Sequence, residues 1–245
     1  VLEQRTPATA RRVDVGGKTA EEVAAEIRGE LGPAPEVGCI VVLQGLSGTG
    51  KGTVARTLQS TLPRAACWSN GNVFRALTLL ALRQCEANGV DMDEVNFGPD
   101  FSQLLVSCLD FGKFHGDFDI LIRLQGEELL ASAIANTSLR DPQIDRHVPV
   151  LASKMQGEVV KFAAKAAKRM RSEGMNVLME GRALSLAYID TAHRFELCLA
   201  DTAIIGMRRA AQRIAGLALQ KHRSDPRKHV DAALEDALLD LATCS

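Results

Sequence analysis

The chain has 245 residues, 46% of them hydrophobic, which is enough for one large core or for a core carrying an insertion. Its 29 Lys and Arg nearly balance 30 Asp and Glu, giving a net charge of -1 and a pI near 6.6, so no global basic field points to nucleic acid or an acidic membrane surface. The cysteines (Cys39, Cys67, Cys85, Cys108, Cys198 and Cys244) lack C-x-x-C spacing and read as reduced core residues; with no secretory-signal pattern or apolar run of spanning length, the expectation is a soluble cytoplasmic protein.

Residues 1–37 read as an N-terminal extension with one helix, from Lys18 to Leu31, where Ala20, Val23, Ala24, Ile27 and Leu31 recur at helical spacing. Gly32-Pro33-Ala34-Pro35 stops it. Residues 38–245 read as the core. It opens on the apolar strand from Gly38 to Gln44, and the glycine-rich stretch Gly45-Leu46-Ser47-Gly48-Thr49-Gly50-Lys51-Gly52-Thr53 follows directly. Glycines let a backbone approach phosphate oxygens without a clashing Cβ, and a lysine adds a compact positive charge beside the β and γ phosphates. The expected ligand is therefore a nucleoside triphosphate, with Gly45, Ser47, Gly48, Thr49, Gly50, Lys51, Gly52 and Thr53 binding it. Gly52 intervenes where the common pattern has Ser or Thr directly after the lysine.

A helix then runs to Leu62, Ala65 to Trp68 is a short strand, and Asn72 to Ala87 is the next helix, closed by Gly89. Residues 90–145 break the strand-helix rhythm, with a β-like run from Asp119 to Leu124, and read as an inserted subdomain. Pro149 suits the first turn of a long helix reaching Glu173, whose second half carries Lys161, Lys165, Lys168, Arg169 and Arg171. Asn176 to Met179 and Phe195 to Leu199 are further strands, and Asp201 would cap a helix through Arg213. Residues 214–245 read as a lid region, with a helix from Asp231 to Leu241. The alternation predicts an α/β fold with a parallel sheet covered by helices on both faces.

The order of these motifs resembles the cytidylate kinase family of P-loop nucleoside monophosphate kinases over 38–245. Besides the glycine-rich loop, the likeness rests on Ser69-Asn70-Gly71-Asn72-Val73-Phe74-Arg75, on Ile122 to Glu128, on Leu139 to Ile144, and on Glu180-Gly181-Arg182-Ala183. The resemblance implies a P-loop kinase core, an inserted monophosphate-binding subdomain and a partial lid. It implies transfer of the γ-phosphoryl of ATP to a pyrimidine monophosphate such as CMP or dCMP, with Lys51 and Arg182 catalytic and Asn70, Arg75, Lys161 and Arg182 holding the acceptor. Glu180 either organises Mg2+ together with Thr53 or binds the loop itself. Arginine suits the acceptor role independently, because its fork grips two phosphate oxygens at once.

The departures are specific. Ser69 and Ala183 stand where the family has aspartates, which loosens base selectivity more than it affects phosphoryl transfer. The family's arginine-rich lid motif, last strand and last helix are not recognised before Ser245. The expectation is that the natural chain continues, or that Arg208, Arg209, Arg223 and Arg227 take over part of the lid's work. The alternative function is a non-catalytic ATP-binding module derived from this kinase fold. Oligomeric state is left as monomer or unspecified oligomer, with no nucleic-acid or membrane partner.

Overall fold

A computed structural model describes residues 9–243 except 201, 226 and 228. Its centre is a parallel sheet in the order β1-β8-β2-β7-β3, built from β1 (Arg11–Asp14), β2 (Ile40–Gly45), β3 (Ala65–Trp68), β7 (Asn176–Gly181) and β8 (His193–Cys198). A second, antiparallel sheet contains β4 (Leu109–Phe114), β5 (Asp117–Leu124) and β6 (Glu127–Leu130). Side chains alternate across the central sheet: Val41, Leu43 and Leu178 face one core, while Ile40, Val42, Val177 and Met179 face the other.

The first core is closed by α1 (Ala20–Leu31) and α3 (Lys51–Thr61), with the short α2 (Ala34–Val37) leading into β2. The second is closed by α4 (Asn70–Asn88), α5 (Pro99–Ser107) and α7 (Pro142–Ser172). Two four-residue helices, α6 (Ala131–Ile134) and α8 (Ala183–Leu186), sit after β6 and β7, and α9 (Thr202–Ser224) and α10 (Val230–Thr243) pack together as a helical hairpin. The expected α/β architecture with helices on both faces is present.

Within the expected N-terminal extension, the described residues 9–37 join the central fold. β1 pairs in parallel with β8, Val13 opposite Leu197, and supplies the edge of the central sheet. Ile27 and Leu31 of α1 are buried with Leu58 and Phe195 in one core. α1 starts on a capping box, Glu22 N–H donating to Thr19 Oγ1 at 3.2 Å and Thr19 N–H to Glu22 Oε2 at 2.7 Å. This edge of the central sheet and one of the helices covering it thus come from the N-terminal side. A four-residue strand that opens on two arginines is too short for its alternation to register as a strand signal.

Other boundaries shift for local reasons. The long helix begins at Pro142, not Pro149: the Asp141 carboxylate accepts from Gln143 N–H at 2.8 Å and caps it. Pro149 lies inside the helix, where it gives up one hydrogen bond to the Asp145 carbonyl. α9 runs on to Ser224, so the lid region begins inside a helix, and Asp201, the expected cap, lies outside the described residues. Cys39 and Cys85 are buried as expected, but Cys67 is exposed, because its position on β3 faces out beside α3. Cys244 lies outside the described residues. No helix among the described residues is long and apolar enough to cross a membrane.

Buried polar groups fasten this frame. Asn176, fully buried, accepts from Cys39 N–H at 3.0 Å and donates to the carbonyls of Pro35 (2.9 Å) and Pro63 (2.7 Å), tying three chain segments to the start of β7.

Candidate functional site

In a parallel sheet all strands end on one side, and ligands of such sheets bind beyond the carboxyl ends. β2 ends at Gly45 and its neighbour β7 at Gly181, so the glycine-rich loop and Glu180-Gly181-Arg182 emerge side by side. Gly45 has φ +146° and packs so closely on the Leu197 carbonyl that no side chain fits. Gly48 (φ +90°) and Gly50 (φ +86°) turn the loop into α3. No side chain caps α3, so the N–H groups of its first turn point out of the helix start with their partial positive charge.

Thr49 is only 2% exposed, and its hydroxyl donates to the Leu46 carbonyl at 2.9 Å, which braces the loop from within. Lys51 Nζ donates to the carbonyls of Gly45 (2.9 Å) and Leu46 (2.7 Å), holding its ammonium at the loop. Partial burial lowers the Lys51 pKa; the nearby Glu180 carboxylate opposes that shift and Arg182 adds to it. Lys51, Glu180 and Arg182 therefore share one electrostatic neighbourhood. Glu180 also lies against Gly52 and makes no hydrogen bond or ion pair among the described residues. Thr53 is exposed, and its hydroxyl accepts weakly from Arg56 Nη2 at 3.4 Å.

Two of the residues expected to hold an acceptor, Asn70 and Arg75, lie on α4. Asn70 is its first residue, and Asn70 Oδ1 accepts the Trp68 indole N–H at 2.7 Å. Arg75 bonds Asp145 Oδ1 through Nε (3.2 Å) and Nη2 (3.0 Å) and reaches the Gly71 carbonyl at 3.4 Å. The antiparallel sheet is joined to this region by aromatic packing: Trp68 meets Phe111 edge-on at 5.4 Å, and Phe111 stacks on Phe118 at 5.4 Å.

Lys161 is placed apart from the loop. It pairs with Glu158 at 2.8 Å and lines a cavity of about 700 Å³ beside Lys165, Lys168, Phe162 and Ile40, the residue at the opposite end of β2 from the phosphate loop. Arg223 and Arg227 are exposed, and the side chains of Arg208 and Arg209 lie outside the described residues. Among the described residues no three His, Cys, Asp or Glu side chains converge to hold a metal by themselves. A divalent ion here would need ligand oxygens besides Glu180 and Thr53, which is what a bound triphosphate supplies.

Three residues of the site escaped the sequence reading. Arg56 flanks Gly52 from the next helical turn. Trp68 orients Asn70. Arg194, on β8 and 3% exposed, donates through Nη2 to the Leu186 carbonyl at 2.8 Å and to the Ile189 carbonyl, while its Nε has no partner among the described residues. It thereby fastens the end of α8, whose N-cap is Arg182. The available signals were a lone tryptophan beside an Asn and an arginine opening an apolar strand.

The cytidylate kinase family model matches residues 41–223, about three quarters of the chain. The protein belongs to the cytidylate kinase family. No curated protein matches it significantly in sequence. The matched span covers the phosphate loop, Arg75, the antiparallel sheet, Arg182 and nearly all of α9; β1 and α1 lie before it.

Proposed function

We propose that the protein is an ATP-dependent nucleoside monophosphate kinase that transfers the γ-phosphoryl group to a pyrimidine monophosphate. The observation that carries this reading is the shared neighbourhood of Lys51, Glu180 and Arg182 at the glycine-rich loop and the end of the adjacent strand β7. Phosphoryl transfer between two anions needs alignment and positive charge more than a strong base, because the acceptor oxygen is already ionised.

In this reading the loop N–H groups and Lys51 bind the donor phosphates, and Lys51 exchanges the Gly45 and Leu46 carbonyls for phosphate oxygens. Arg75 turns from Asp145 to the acceptor phosphate, Arg182 binds it from the β7 side, and Asn70 adds a donor. Magnesium, when bound through the phosphates with Glu180 and Thr53, supplies further charge neutralisation. Lys161 contributes from α7 only if that helix shifts toward the acceptor. Arg223 and Arg227, exposed on the helical hairpin, are available to screen the transferring group.

The second reading, a non-catalytic ATP-binding module, draws on Ala183, which stands where the family has an aspartate. A phosphoryl-transfer screen of the natural-length protein with Mg2+-ATP against CMP, dCMP, UMP, AMP and GMP separates the two. The kinase reading expects turnover with at least one pyrimidine monophosphate. ATP binding without consumption of any monophosphate supports the module.

A further inference from the structure

Asn70 stands at the first position of α4, and an asparagine amide offers an oxygen acceptor on one side and two N–H donors on the other. Which side faces a ligand is ordinarily ambiguous, since the two ends have the same shape. Here the neighbour removes the ambiguity. The indole N–H of Trp68 can only donate, and it lies 2.7 Å from the Asn70 amide, so the end facing Trp68 must be the oxygen.

The ring that imposes this is itself held. Trp68 is 8% exposed at the end of β3, packed edge-on against Phe111 at 5.4 Å and tilted against Phe162 at 6.3 Å. Asn70 Nδ2 has no partner among the described residues. The amide therefore turns two N–H donors outward, five residues before Arg75 on the same helix.

We propose that Trp68 is a positioning residue that locks Asn70 as a donor-only contact for the phosphate of the acceptor monophosphate. This rests on the acceptor-site reading above. The physical gain is pre-organisation: a free amide must be turned and ordered as the dianion binds, whereas the locked amide already presents its donors. Asn70 and Arg75 then present N–H groups of one sign to one phosphate, and the charge-assisted bonds that result are stronger than neutral ones.

Trp68 is the only tryptophan in the chain, so its fluorescence reports the contact directly. The test uses the full chain with CMP and UMP as probes. Trp68→Phe keeps the aromatic packing and removes only the N–H; the expected result is about a two- to fivefold rise in KM for the monophosphate, the cost of ordering one freed side chain on binding, with KM for ATP unchanged. In an Asn70→Ala background the same substitution has no further effect on KM. A merely structural tryptophan would give equal losses in both backgrounds, and an unchanged KM in Trp68→Phe would overturn the proposal. If Trp68→Phe does not fold, the wild-type emission decides: monophosphate shifts it in the wild type and not in Asn70→Ala, and equal shifts in both contradict the lock. Arg75→Ala separates the two levels: if it too leaves the monophosphate KM unchanged, the acceptor-site reading itself fails, whereas a raised KM in Arg75→Ala alone removes only the role of Trp68.

Discussion

The Glu180 carboxylate lies directly over Gly52: a Cβ built on Gly52 would stand 3.3 Å from Glu180 Oε2 and 3.6 Å from Arg56 Nη1. This accounts for the glycine between Lys51 and Thr53. A side chain there would press on the carboxylate that shares an electrostatic neighbourhood with Lys51. Gly52→Ala should melt no lower than the wild type, because alanine gains about 1 kcal/mol of helix propensity over glycine and Glu180 can swing aside. Its affinity for Mg2+-ATP should nevertheless fall several-fold, with a smaller loss for metal-free ATP. Calorimetric titrations with and without Mg2+ check this; an equal loss in both would remove Glu180 from the metal's surroundings.

Lys51 gives the site a pH dependence. Its pKa is lowered chiefly by burial, and phosphate oxygens would raise it again. ATP binding should therefore be strongest below the lowered pKa of the free protein, weaken as pH rises through it, and take up a proton in that alkaline window. Titrations in two buffers of different ionisation enthalpy measure the uptake. Lys51→Ala should abolish it, and uptake that survives in this variant would assign the proton elsewhere.

Asn176 should matter for stability and not for chemistry. Asn176→Ala leaves the Cys39 N–H and the Pro35 and Pro63 carbonyls without their partner, at a cost of about 2 to 4 kcal/mol. Denaturant unfolding should show this loss, with KM for ATP unchanged under folding conditions.

β1 and α1 should be indispensable to the core. Ile27, fully buried with Leu58, should cost about 2 to 5 kcal/mol when replaced by alanine, the range of a buried large-to-small change. Loss of under about 1 kcal/mol on denaturant unfolding would mean that α1 does not pack as described.

Much of this architecture was readable because the signals are local. The loop from Gly45 to Thr53 announces itself by glycines after an apolar strand, and α4 and α7 by helical spacing. What stayed hidden depends on contacts distant in sequence. β1 becomes a strand only because β8 lies beside it, and Pro149 stays helical because α7 was already started at Asp141. Within the site, Lys51, Arg75 and Arg182 were legible as cations suited to phosphate. The supporting residues were not: Trp68 and Arg194 act through neighbours, and nothing in their own identity says which side chain or carbonyl they hold.

Ala183 bears on selectivity. With alanine rather than a carboxylate after Arg182, one polar partner for a base edge is missing, so CMP, dCMP and UMP should be used within about tenfold of one another, against the far larger ratios that a fully paired site gives. A preference for CMP of several hundredfold, measured as the ratio of kcat/KM values, would show that other residues read the base.

The central claim is a two-substrate site with the donor at Lys51 and the acceptor at Arg75. Steady-state phosphoryl transfer by the wild type, Lys51→Ala and Arg75→Ala, with both substrates varied, tests it most directly. The account predicts that Lys51→Ala nearly abolishes turnover, while Arg75→Ala raises KM for the monophosphate and leaves KM for ATP close to the wild-type value. Equal ADP release by the wild type and Lys51→Ala would contradict it.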